Sequence, residues 1–534
     1  MDSESKNCNK EGIMASLNVN ANLFIVRLTI LSILMLFQVY LITAQTSLKE
    51  IALENGHYNV GFRHYTTSDS TRTYSRIYDY TKAKVERPIS VSMWYPSRQN
   101  VEGLEPLQVV DYFEILKEEE EWEHLPNEQL LNWFYYTNTP ENQKHLEEKA
   151  TAYTGMEFGK GKFPVIIYAP SFQASSIENF ALCEYLASHG FVVMSSPSKG
   201  TENRWFGNNN AKEMETQARD VEFLMKEAGK FPMVDYDRMA IMGFSFGGLS
   251  NIIVQNRNDH VKAVVSLDGT ERYQYGLLNR SPFFDAGKID VPYIHMAQKD
   301  IPEIVLKEDK IDAELNSKFQ LYDSISNSKS YRLKFHNLTH SYFSTLGVLF
   351  ANRDPRQDKS DSEIMESYKW VVVYALNFVE ATLNQDKKAS EFIENGPLAN
   401  GMAKSLVTQT IKQPKIRKFN FQDFNDLALA KNYENLHQLY DSILKSHPSF
   451  KMQEGDLNML GLQLVFNPNR SYQGIHVFKL AITLFPNSFN LYDSLAEGYL
   501  YLGEKEKAIE SFEKSLELNS QNQNAISRLE QLKK

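Results

Sequence analysis

Cysteine is nearly missing from this chain, with two in 534 residues, Cys8 and Cys183. Cys8 precedes the one long apolar run and would leave with it, so no intrachain disulfide is expected and a stapled fold is excluded. Cys183 falls in a helical pattern, where a buried small hydrophobe is expected. No H-E-x-x-H and no paired-cysteine motif occurs, so the expectation is metal-free chemistry with no cofactor. Gly159–Lys162 (GKGK) lacks the glycine spacing and the Lys-Ser/Thr ending of a phosphate loop. Basic charge is in deficit: 57 Lys and Arg face 67 Asp and Glu, a formal charge of −10. With no basic stripe along any helix, a nucleic-acid partner is excluded.

Long hydrophobic runs are also scarce. Leu23–Ala44 (LFIVRLTILSILMLFQVYLITA) has Arg27 near its start and Thr43-Ala44 before Gln45. Residues 1–44 are read as a signal peptide, which makes the mature chain secreted or periplasmic. Left uncleaved, the segment would act as a membrane anchor. The acidic run Glu118–Glu121 is expected to be a solvated helix face.

What is present describes an ordinary globular protein: 42% hydrophobic, 12% aromatic and 23% charged residues. From residue 45 to about 395, short buried-strand runs alternate with helical stretches. Ile89–Trp94, Phe163–Ala169, Phe191–Met194, Met239–Met242, Val261–Leu267 and Val291–Met296 are the strands. Ile177–Ser188, Ala211–Ala228 and Gly248–Gln255 are the helices. The alternation predicts an α/β fold, a mostly parallel sheet covered by helices on both faces. An acidic and aromatic insertion over residues 103–160 interrupts the rhythm; it reads equally as a cap beside a site and as a surface insertion without a role. Residues 415–534 change character. Tyr492–Asn519 places Leu495, Gly498, Tyr499, Ala508, Phe512 and Leu516 where two helices of a tetratricopeptide repeat interlock, and Phe478 precedes Phe512 by 34 residues, the period of that repeat. Such a short array is expected to pack on the rest of the chain or on a protein partner.

The chemistry gathers at Gly243-Phe244-Ser245-Phe246-Gly247, a G-x-S-x-G elbow between a strand pattern and a helix pattern. A tight strand-to-helix turn exposes the serine hydroxyl, and the flanking glycines keep side chains from colliding. The serine needs a base and the base an orienter, in the chain order Ser, acid, His. His260 and His295 sit at or in predicted strands and are expected to be structural. His340 occupies the loop expected of the base, with His336 its rival. Asp268, ending VKAVVSLDG, and Asp300, ending VPYIHMAQKD, are both candidate acids; strand position alone favours Asp300. The N–H of Phe246, next after the serine, is the expected first oxyanion donor. The second is expected from Phe172, in the loop after Phe163–Ala169.

Several stretches resemble the plasma-type platelet-activating-factor acetylhydrolases and their dienelactone-hydrolase-like bacterial relatives. They are GHYNVGF at Gly56–Phe62, SMWYPS at Ser92–Ser97, FPVIIYAPSF at Phe163–Phe172, LASHGFVV at Leu186–Val193, GFSFGG at Gly243–Gly248 and SLDG at Ser266–Gly269. The resemblance implies an α/β-hydrolase fold and a Ser245–His340–Asp268 triad, with His340 in an H-x-x-F segment and Asp268 preferred over Asp300. Pro170-Ser171 stands where the family has His-Gly before the oxyanion donor. The implied activity is cleavage of small-molecule or lipid carboxylic esters. Its rivals are a serine peptidase on the same fold and a partner-binding repeat protein with a silent hydrolase scaffold. Trp205-Phe206, Trp122 and Trp133 are candidate pocket aromatics.

Overall fold

The computed structural model describes residues 46–534 apart from Tyr78, Lys82, Tyr135, Asp309, 351–357, 416–418 and Lys534. Cys8 and the apolar run Leu23–Ala44 lie outside the described residues, among which no helix is long and apolar enough to cross a membrane. The described residues fall into two units, one up to Lys415 and one after it.

The first unit is built on a ten-stranded sheet. Its strands are β1 (Asn59–Tyr74), β2 (Val85–Ser97), β3 (Ala152–Thr154), β4 (Phe163–Ala169), β5 (Val192–Ser195), β6 (Val234–Phe244), β7 (Val261–Leu267), β8 (Tyr293–Ala297), β9 (Ser330–Phe335) and β10 (Val407–Lys412). They lie in the order β10-β9-β8-β7-β6-β4-β5-β2-β1-β3. From β5 to β9 every neighbouring pair is parallel, while β2 and β10 flank that block antiparallel to β5 and β9. This is the mostly parallel α/β sheet the alternation predicted, in the α/β-hydrolase arrangement the resemblance implied.

Why such strands read as continuous apolar runs is visible in β4, where all seven residues are buried. Ile166 and Tyr168 pack in one core cluster, Val165, Ile167 and Ala169 in the other, so the pleat sends alternate side chains to opposite faces and both faces are covered by helices. The chain steps from β4 to β5 on one side and to β6 on the other. Loops leaving the carboxyl ends of the strands near that reversal are where ligands sit in open α/β sheets.

β10 was not expected, and it carries the first unit past the predicted end at 395. Its sequence, VTQTIK, is half exposed at the sheet edge, so it has no apolar run to announce it. The acidic run Glu118–Glu121 is a correction. Only Glu118 is exposed; Glu119 and Glu121 are buried and Glu120 is ion-paired with Arg204. Glu119 accepts from the Ser175 and Ser176 hydroxyls and the Ser176 N–H. Glu121 accepts from Tyr74 Oη at 3.0 Å and the Ile77 N–H at 2.8 Å. Donors contributed by distant loops make burial of these carboxylates tolerable, and nothing local in the run signals them.

The second unit is helical throughout its described residues. Leu457, Phe478, Leu491, Ala496, Ala508 and Phe512 form its centre, and a Cβ on Gly474 would lie 2.6 Å from the Gly461 carbonyl oxygen, so the helices Glu454–Val465 and Ser471–Leu484 meet backbone to backbone there.

Candidate active site

Four strand ends converge on the site. β6 runs into the helix Phe246–Arg257 through Ser245 alone, whose backbone sits at φ 54°, ψ −118°. That region is costly for a residue with a Cβ and persists only where its surroundings enforce it. The Ser245 N–H donates to Leu267 O at 3.1 Å, and its carbonyl accepts from the Gly248 and Thr270 N–H groups at 3.0 and 2.9 Å. Two glycines make the turn feasible. A Cβ on Gly243 would lie 2.4 Å from the Gly247 carbonyl carbon, and one on Gly247 would lie 2.0 Å from Ala169 O, at the end of β4.

β7 is followed directly by Asp268, which is fully buried, and the segment after β9 carries His340 at the head of the turn His340–Phe343. His340 Nε2 lies 2.8 Å from Ser245 Oγ, and its Nδ1 lies 2.6 Å from Asp268 Oδ2. The other Asp268 oxygen accepts the Gln298 N–H at 3.0 Å. Burial pushes the Asp268 carboxyl up, but the hydrogen bond and charge of His340, the Arg272 guanidinium and the Gln298 N–H outweigh it and hold it below the usual carboxylate range.

The remaining candidates lie elsewhere. Asp300 is exposed and ion-paired with Lys334 at 2.6 Å, with no bond to His340. His336 Nε2 is hydrogen-bonded to Thr408 Oγ1 on β10 at 2.7 Å. His295 is buried among Ser266, Glu271 and Tyr293, and His260 packs against the Tyr236 ring. Cys183 is buried in the helix Phe180–Ser188.

Phe246 opens its helix, so its N–H belongs to the first turn that has no intrahelical acceptor. Phe172, half exposed after β4, packs edge-on against Phe206 and Phe246, with ring centroids 4.3 and 5.8 Å away. No described backbone or side-chain acceptor takes the Phe172 N–H. Just before it, Ser171 is bound through both its N–H and its hydroxyl to Glu178, a pairing the sequence analysis did not single out.

A cavity of about 800 Å³ opens beside His340, walled by Leu116, Trp133, Phe134 and Tyr136 of the insertion together with Trp205 and Leu346. The insertion therefore contributes one wall of the site. Trp122 stacks edge-on against Trp133 rather than facing the cavity, and Phe206 sits between Phe172 and Phe246. A second cleft of about 810 Å³ reaches His340 from the side of Tyr273, Gln298 and Asp300. Among the described residues no three His, Cys, Asp or Glu side chains gather as ligands for a metal ion.

Two family models match the first unit: Platelet-activating factor acetylhydrolase, isoform II, over residues 43–219, and PET hydrolase-like, over residues 150–351. Each covers less than half of the chain; the PET hydrolase-like match spans Ser245, Asp268 and His340, and the acetylhydrolase match ends before them. No curated protein matches. A ferulic acid esterase from Streptomyces cinnamoneus is similar at 16% identity with a TM-score of 0.45, over 67% of this chain and 98% of that one. At that distance the sheet order, not the likeness, carries the fold assignment.

Proposed function

We propose that this chain is a serine-dependent carboxylic-ester hydrolase. The observation that carries the reading is the unbroken run Ser245 Oγ–His340–Asp268, at 2.8 and 2.6 Å, at the carboxyl ends of parallel strands. The two family descriptions, an acetylhydrolase and a PET hydrolase-like family, favour an ester over a peptide bond.

In this mechanism Ser245 Oγ attacks the ester carbonyl as His340 Nε2 takes its proton, and the buried Asp268 carboxylate holds the imidazole in orientation and stabilises its charge. The N–H groups of Phe246 and Phe172 receive the developing oxyanion. His340 then protonates the leaving alcohol, and a water activated by the same imidazole hydrolyses the acyl-enzyme. The segment Leu23–Ala44 supports export of the chain, and the 34-residue spacing of Phe478 and Phe512 supports a repeat-like helical unit open to a protein partner.

The test is hydrolysis of a short-chain p-nitrophenyl ester by the purified protein beside Ser245→Ala, with fluorophosphonate labelling of both. Turnover and labelling are expected in the native protein alone. Equal rates in the two proteins would sink the reading and leave a silent scaffold in its place; cleavage of peptides but not esters would move the reading to a peptidase.

A further inference from the structure

Where the resembled family has glycine before the second oxyanion donor, this chain has Ser171, and the serine is fully engaged. Its backbone N–H donates to Glu178 Oε2 at 2.8 Å and its hydroxyl donates to Oε1 of the same carboxyl at 2.5 Å. Glu178 is 8% exposed and lines the same cavity as His340. Its own carbonyl accepts the Leu346 N–H at 3.1 Å, just beyond the turn that carries His340. Asn179 adds to the same bridge: its Nδ2 donates to Phe343 O at 3.0 Å, and its Oδ1 accepts the Thr345 N–H at 3.0 Å and the Tyr368 hydroxyl at 2.6 Å. These two residues therefore tie the loop bearing Phe172 to the loop bearing His340.

Resting on the ester-hydrolase reading, we propose that Glu178 is a positioning residue, whose carboxylate pins the Ser171 peptide and through it sets the Phe172 N–H against Ser245 and His340. The physical basis is the strength and direction of charge-assisted hydrogen bonds, two of which converge here on one planar group. An oxyanion donor acts only from the right position, so a loop that drifts costs rate rather than substrate binding. The charged and titratable groups facing Glu178 are His340, Tyr136 and Tyr168, with Arg204 and Glu120 on the same cavity wall. Burial drives the Glu178 carboxyl up to about 7, against the pull of the Ser171 donors and the His340 charge. The pin therefore changes charge within the range where ester hydrolysis is measured. Ionised, both oxygens accept; protonated, one becomes a donor and the charge assistance is lost.

The experiment measures kcat and KM on a p-nitrophenyl ester from about pH 5.5 to pH 9, per site titrated with fluorophosphonate. The proteins are the native chain, Glu178→Gln, Glu178→Ala, Ser171→Ala and Ser245→Ala. Glu178→Ala is expected to lower kcat on the order of tenfold with KM within about twofold. Glu178→Gln, which keeps two hydrogen bonds but no charge, is expected to lose only a few-fold. On top of the acid-side loss that a general base gives to every variant, the native profile then carries a further step of that same factor as Glu178 protonates near pH 7, and the Gln variant lacks that further step. A purely structural role predicts lower melting temperatures with kcat per titrated site and the pH step both unchanged in Glu178→Gln, and that result overturns the proposal. Should Glu178→Ala not fold, Glu178→Gln and Ser171→Ala decide the matter alone. No turnover in the native chain, or turnover retained in Ser245→Ala, brings down the ester-hydrolase reading itself. A Ser245-dependent enzyme indifferent to Glu178→Gln brings down only the pin.

Discussion

The loop that ends β7 and the segment that opens the helix after β4 each bury one carboxyl within reach of the His340 charge, and the chain treats the two in opposite ways. Asp268 has a bond to the imidazole, a backbone N–H on its other oxygen and the Arg272 guanidinium nearby, and it stays below the usual carboxylate range despite complete burial. Glu178 has two donors from one serine and no guanidinium acting on it, and burial wins. Environments that push two carboxyls apart separate their roles: one is a permanent anion that orients the base, the other a group poised between states.

The largest effect expected from breaking this contrast comes from Asp268→Asn. An amide in place of the carboxylate no longer selects the imidazole tautomer with its free nitrogen toward Ser245, so kcat should fall on the order of 10⁴-fold with little change in KM. Steady-state kinetics on the same ester checks it. A loss of less than about tenfold would show that the orienting charge comes from elsewhere.

That the elbow could be located from sequence, and the acid only through a resemblance, has a physical reason. Ser245 is specified locally: a strand, a turn that admits glycine at Gly243 and Gly247, and a helix follow one another in the chain. Asp268 and Asp300 both lie in loops that follow strands of the parallel block, and what separates them most is long-range, namely the bond to His340 for one and Lys334 for the other. The same limit explains the acidic run. Glu119 is buried because Ser175 and Ser176 come to meet it from the far side of the insertion, and a four-residue charge run carries no trace of such partners. β10 escaped for the opposite reason, since an edge strand half in water needs no apolar signature. Ser171 and Glu178 are separated by only seven residues, yet a serine and a glutamate at that spacing signal nothing until the β4 loop folds back.

The two carboxyls should also bend the stability curve in opposite directions. Asp268 has a folded pKa below its unfolded one, so it binds fewer protons in the native state and adds stability that is complete above the ordinary value of about 4 and lost as pH falls through the depressed one. Glu178 has a folded pKa raised to about 7, so the native state holds its proton longer and stability falls as pH rises toward that value. Denaturant titrations at several pH values should show Glu178→Gln more stable than the native chain above neutrality, by on the order of 2 kcal/mol, and slower at the same time. Asp268→Asn should lose part of the acid-side slope. Parallel curves for all three proteins would erase the distinction between the two carboxyls.

The smallest effect sharpens the contrast from outside. Asp300 lies three residues past β8, the strand that pairs with β7, whereas Asp268 directly follows β7; the Asp300 side chain is 60% exposed and its partner Lys334 is 20% exposed. Water screens that ion pair, which makes its contribution to stability small, about 0–1 kcal/mol. Asp300→Asn should therefore leave kcat within about twofold and the unfolding free energy within about 0.5 kcal/mol of the native chain. The double variant Asp268→Asn, Asp300→Asn should be no slower than Asp268→Asn alone, because groups that share no partner act independently. If removing Asp300 from the Asp268→Asn background costs a further order of magnitude, then Asp300 supplies charge to His340 once Asp268 is gone. The two acids would in that case be alternatives within one site, not an orienting residue and a surface ion pair.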